Sequence, residues 1–173
     1  MILVEADSSE EWDSSTDWAQ LADEAVRAAF AAAGHGALLD SGLTLEISVK
    51  FTGDAEVRAL NAAYRNKDKP TNVLSFPMFE AGLLDSLARA DGGEALLGDV
   101  VLAQGVCAAE AAEKGIPVRD HAAHLVVHGT LHLLGHDHEQ GEAQAEAMEA
   151  AEREALTALG VRDPYAAEAG ART

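Results

Sequence analysis

The run His128-Gly129-Thr130-Leu131-His132-Leu133-Leu134-Gly135-His136-Asp137-His138 places imidazoles where a single divalent metal can collect three of them. On an α-helix, residues four apart share a face, so His128 and His132 project side by side. Gly135 permits the left-handed turn that ends a helix, after which the chain can double back to offer His138. Three nitrogens with an open fourth position make a catalytic zinc site, because structural zinc is normally closed by four protein ligands.

The spacing His-x3-His-x2-Gly-x2-His is also that of the long metalloprotease motif, in which a glutamate after the first histidine serves as general base. Gly129 stands there instead and cannot take a proton from water, so the scaffold is similar but the chemistry should differ. His124, one turn before His128, can replace His138 as third ligand or donate to a ligand from behind. His136, in the turn, is expected to face solvent or substrate. His35 and His121 read as ordinary core or surface residues. Cys107 reads as a small apolar helix residue rather than a fourth ligand.

At 173 residues the chain has the length of one domain, expected over residues 1–165 with a loose tail at 166–173. No apolar run approaches the length of a membrane span, the N-terminus lacks the pattern of a secretory signal, and a lone cysteine suits a reducing compartment. A soluble, cytoplasmic protein is expected. The formal net charge of −18, from 30 acidic and 12 basic residues, sits awkwardly with binding to phosphate. Its distribution softens the conflict: Arg58, Arg65, Lys67 and Lys69 cluster, whereas Glu139 to Glu154 is an acidic stretch opposed only by Arg153. A local basic patch on a protein that otherwise repels nucleic acid is one reading of this pattern, and a solvated helix end is the other.

The elements that must position these residues follow from periodicity. Met1–Glu5 reads as a short strand, and Thr16–Ala33 as an amphipathic helix. Leu43–Phe51 alternates as a half-buried strand does. Asp54 reads as the N-cap of a helix to Tyr64, with Val57, Leu60 and Tyr64 on its buried stripe. Strands follow at Asn72–Pro77 and Leu97–Leu102, separated by a Gly/Asp-rich stretch at 78–96 that reads as a lid or an insertion with one helical turn. Helices are expected at Gln104–Lys114, Arg119–Leu134 and Gly141–Leu159, with Leu125, Leu131 and Leu134 anchoring the histidine helix. Interleaved strands and helices predict an α/β (α+β) domain with a four-stranded mixed sheet under about five helices.

Taken together, the histidine run, Tyr64-Arg65 with Lys67-Asp68-Lys69-Pro70-Thr71-Asn72-Val73-Leu74-Ser75-Phe76-Pro77, and Leu97-Gly98-Asp99-Val100 resemble the YbeY family of bacterial endoribonucleases. The resemblance spans about Leu43 to Tyr165. It implies a metal-dependent, single-strand-specific RNase that matures ribosomal RNA, notably the 3′ end of 16S rRNA, and removes defective ribosomes. It puts the three zinc-binding histidines on His128, His132 and His138, with an active-site arginine on Arg65. The chain departs from the common pattern at Asn72, where many members carry aspartate, and at His136, where many carry tyrosine.

On that reading, zinc held by neutral imidazoles would bring the pKa of a bound water down to about 7, with His128 at the heart of the reaction, and the Arg65 guanidinium would grip the phosphate. Asp99 and Asp137 are candidates to orient a histidine. Nickel, cobalt and copper also suit three imidazoles. The alternatives are a non-enzymatic ribosome-associated factor with a stabilising metal, or another metal hydrolase.

Overall fold

The computed structural model describes residues 1–78, 92–136 and 141–164. Four strands form one mixed sheet: β1 (Ile2–Ser8), β2 (Thr44–Thr52), β3 (Val73–Pro77) and β4 (Glu94–Ala103). Their order is β1-β2-β4-β3; β1, β2 and β4 run parallel, and β3 lies antiparallel at the edge. Five α-helices complete the described residues: α1 (Trp18–Ala32), α2 (Asp54–Arg65), α3 (Gln104–Lys114), α4 (Val118–Leu133) and α5 (Glu142–Ala158). The mixed sheet and five helices match the expected class. Of the stretch 78–96 expected as a lid or insertion, residues 79–91 lie outside the described residues, as does the expected tail, while 94–96 prove to be the start of β4.

Strand periodicity divides the sheet into two faces. Leu45, Ile47, Val49 and Phe51 of β2 join Val100 and Leu102 of β4 in the main core, with α1, α4 and α5 packed over them. The opposite face carries a smaller core of Val57, Leu74, Val101 and Ala103, covered by α2. A bulge in β4 gives Leu97 no partner in the register, because Glu46 pairs with Leu96 and Ile47 with Gly98.

Two expectations for α2 need correction. Asp54 is its first residue rather than its cap, and its carboxylate instead accepts from the Val106 N–H in the first turn of α3. Tyr64 is 72% exposed, because the buried positions of α2 end at Asn61, one turn earlier; its ring packs edge-on against Phe76 at 5.4 Å.

Candidate metal centre

From His121 to Leu134, α4 and its terminus are buried except at His124, His128 and His132, which are half-buried at spacings of four. The pattern follows from the sequence. Leu125, Leu131 and Leu134 anchor the helix in the main core, as expected, and Gly129 faces the sheet. A Cβ at Gly129 would stand 2.8 Å from Val100 Cγ1 and 3.4 Å from Val73 Cγ2. The glycine that replaces the protease glutamate is therefore where helix meets sheet, and no side chain at 129 can reach the histidine face.

The helix ends as its glycine predicts. Gly135 takes φ +100°, its N–H donates to the His132 carbonyl at 3.0 Å, and the His136 N–H reaches back to the Leu131 carbonyl at 3.0 Å. This is the Schellman arrangement, which ends α4 at its glycine.

His128 and His132 converge. Their Nε2 atoms stand 3.1 Å apart. Two nitrogens bound to one tetrahedral zinc at 2.0–2.1 Å lie about 3.3 Å from each other. The far nitrogen of His128, Nδ1, is 2.6 Å from Glu152 Oε1. Donation of Nδ1–H to that carboxylate leaves the lone pair on Nε2, where a metal needs it. The pair present thus fits a divalent ion. Among the described residues no group of three His, Cys, Asp or Glu side chains is gathered around one point, and His138 and Asp137 lie outside them.

Glu152 is the residue that the sequence reading missed. It projects from α5, is 1% exposed, and its second oxygen lies 2.8 Å from His124 Nε2. Burial pushes the Glu152 carboxyl up, but hydrogen bonds from His124 and His128, together with their charge, outweigh it and hold the group below the usual carboxylate range. His124 is thereby turned toward a carboxylate, the supporting alternative of the two open to it. The signal was in the sequence: Met148, Ala151, Glu152, Ala155 and Leu156 form the buried stripe of α5, and one member of that stripe is charged.

A model of the endoribonuclease YbeY family matches residues 5–160. The chain belongs to the YbeY family. Proteins named endoribonuclease YbeY from Rhizorhabdus wittichii and Sphingopyxis alaskensis are 55% and 52% identical to it, each alignment covering 96% of this chain and 98% of the relative. A relative of the same name from Novosphingobium aromaticivorans is 49% identical over 96% of this chain and 97% of its own. A solution structure from Thermotoga maritima shares the fold, with a TM-score of 0.54 at 17% identity, over 91% of this chain and 92% of that one.

The other residues singled out in this YbeY chain fall in different places. Arg65 is exposed in the last turn of α2 and makes no hydrogen bond or ion pair with the described residues. Beside it, Tyr64, Phe76, Met78, Leu60, Lys50 and Asp99 line a groove of about 340 Å³. Asp99 does not end its strand and cannot orient an α4 histidine, because it sits mid-β4, paired with Ser48 and Phe76, on the face opposite α4. The basic cluster is partly neutralised: Arg58 Nε lies 2.8 Å from Asp68 Oδ1.

Of the two expectations for His136, solvent or substrate, full exposure to solvent is not met. The residue is half-buried with Nδ1 enclosed, and burial, then the nearby His35, lowers its pKa. Cys107 is buried, and its thiol is pushed up to about 12 by burial and then by Glu110, which suits an inert core residue. Asn72 donates from Nδ2 to both oxygens of Glu110, at 3.1 and 3.4 Å, and accepts the Val73 N–H at 2.7 Å. An aspartate there would face Glu110 with like charge.

Proposed function

We propose that this chain is a single-strand-specific, metal-dependent endoribonuclease in which His128, His132 and His138 hold one Zn²⁺ and Arg65 binds the phosphate to be cleaved. The observation that carries the reading is the convergence of His128 and His132 Nε2 at 3.1 Å on the half-buried stripe of a helix that is otherwise buried from His121 onward. Zinc in such a site supplies an acidified water near neutral pH and positive charge against the developing phosphorane. His128 and His132 bring their Nε2 atoms within 3.1 Å of each other, and His138, two residues beyond the last described residue of this turn, would complete the ligand set. Arg65 presents a planar fork of donors with no competing partner among the described residues, suited to two phosphate oxygens at once.

The substrate is the 16S rRNA precursor near its 3′ end, and the same activity serves ribosome quality control in the cytoplasm. A ribosomal protein partner would supply the RNA affinity that a net charge of −18 withholds. No helix among the described residues is long and apolar enough to cross a membrane.

The test is cleavage of a single-stranded oligoribonucleotide by the zinc-loaded chain, by His132→Ala and by Arg65→Ala. Loss of both metal and cleavage in His132→Ala is expected. Arg65→Ala should retain metal and fold but cut at least about tenfold more slowly, a loss of roughly 1.4 kcal/mol or more in transition-state binding. Wild-type cutting by Arg65→Ala would remove the clamp, and wild-type cutting by metal-free protein would remove the centre.

A further inference from the structure

We infer that Glu152 is the positioning residue of the metal centre: its buried carboxylate fixes the His128 imidazole in the tautomer that presents Nε2 to the ion, while its second oxygen ties His124 into the same brace. The inference rests on the metal-centre reading above and deepens it, since the partner of the far nitrogen of His128 comes from a helix outside the histidine motif.

Three observations converge on this. Glu152 is 1% exposed on the apolar stripe of α5, a position where a carboxylate is costly unless it is paired. Both its oxygens are used, at 2.6 Å to His128 Nδ1 and 2.8 Å to His124 Nε2, so the carboxylate bridges two successive turns of α4. The bond engages the Nδ1 edge of His128 and leaves the Nε2 edge directed at His132. A neutral imidazole has one N–H. A carboxylate, which only accepts, assigns that N–H to Nδ1 and the lone pair to Nε2. An amide in the same place could donate as well as accept, and would not make the choice. Carboxylates behind metal-bound histidines are commonly worth 10–100-fold in metal affinity. Here the carboxylate also comes from a different helix, so metal binding is coupled to the docking of α5 on α4.

The test uses the full chain and has two independent readouts. Zinc affinity is measured by competition with a chromophoric chelator for wild type, Glu152→Gln, Glu152→Asp and His132→Ala. The tautomer of His128 is read from long-range ¹H–¹⁵N correlations of its neutral ring in the metal-free wild-type protein. Glu152→Gln should weaken zinc roughly 10–100-fold. Glu152→Asp, which keeps the charge but cannot span both imidazoles, should recover part of that loss. In the wild type, His128 should carry its proton on Nδ1.

Wild-type zinc affinity in folded Glu152→Gln would overturn the inference, and so would a proton on His128 Nε2. If Glu152→Gln fails to fold, the wild-type tautomer decides alone. Failure of the underlying reading looks different: His132→Ala would then bind zinc as tightly as wild type.

Discussion

Gly129→Ala should destabilise the protein even though alanine is the better helix former. In an ordinary helix interior this change gains about 1 kcal/mol. Here the added Cβ would lie 2.8 Å from Val100 Cγ1, 3.3 Å from Val100 Cγ2 and 3.4 Å from Val73 Cγ2. Val100 is buried in a central strand, and its β-branched side chain has little freedom about χ1, so relief requires α4 to lift from the sheet. Overpacking of this kind costs about 1–3 kcal/mol, which leaves a net loss of roughly 0–2 kcal/mol. Val100→Ala alone loses about 1.6 kcal/mol from two methyl groups, before any cavity cost. In the double variant the new methyl enters the vacated space. The clash disappears and the helix gain returns, for a favourable coupling of about 1–3 kcal/mol. Urea denaturation of the four proteins of this cycle, held metal-free with chelator, measures the coupling directly. Additivity within about 0.5 kcal/mol would show that α4 does not press on β4 at Gly129. A simple gain of about 1 kcal/mol in Gly129→Ala would show the same. The packing account of the missing glutamate would then fail.

Other expectations follow from named contacts. Asn72→Asp should cost about 1–2 kcal/mol at pH 7, because it replaces a donor to Glu110 with a like charge at about 3 Å. Most of the loss should return near pH 4, and equal urea midpoints at pH 7 would refute it. His121 is buried with Nδ1 enclosed, and burial lowers its pKa despite the bond from Nε2 to Glu110. A base depressed in the folded state gives stability that is full above its unfolded pKa, about 6.5, and that falls as pH drops below it. Wild type should therefore lose stability relative to His121→Gln between pH 7 and 5 in metal-free protein; parallel curves would refute this. A 2′-deoxy substitution at the scissile nucleotide should leave cleavage in place. Position 129 carries no base, His128, His132 and His138 are the proposed metal ligands, and buried Glu152 already serves two imidazoles. Abolished cutting, with 2′,3′-cyclic phosphate ends on ordinary RNA, would refute it.

Much of this molecule was legible because its signals are local. Two-residue alternation marked β2, and glycines at 115 and 135 stopped α3 and α4 within a residue of where they end. The four-residue spacing of His128 and His132 placed them on one face. What stayed hidden depends on partners distant in sequence. Asp54 looks like an N-cap until α3 arrives 50 residues later to take its carboxylate. Tyr64 follows the helical stripe but lies past the edge of the small core, where Phe76 meets it edge-on. Asp99 looked available to the histidines, yet sheet register put it on the other face. Glu152 was obscured by its neighbours, since one carboxylate among many in an acidic helix gives no sign of burial until its stripe is traced.

The proposed site requires an arginine on one face of the sheet and histidines on the other to act on one substrate. The means lies at the edge strand. A Cβ at Gly98 would meet the Phe76 carbonyl oxygen at 2.5 Å, Leu133 Cδ2 at 2.8 Å and the Pro77 Cα at 3.2 Å. The bare glycine therefore lets the end of α4 and the end of β3 close on the same point of β4. Leu133 adjoins His132 there. On the far side of the same strand, the ring of Phe76 carries Tyr64, which adjoins Arg65. A single edge strand separates the two neighbourhoods. A phosphodiester chain passing around β3 would meet imidazoles on one side and a guanidinium on the other, without either group crossing the sheet. The Leu-Gly-Asp run of β4 then has a packing role of its own: its bare Gly98 lets the ends of α4 and β3 close on one point, the arrangement on which the proposed site depends.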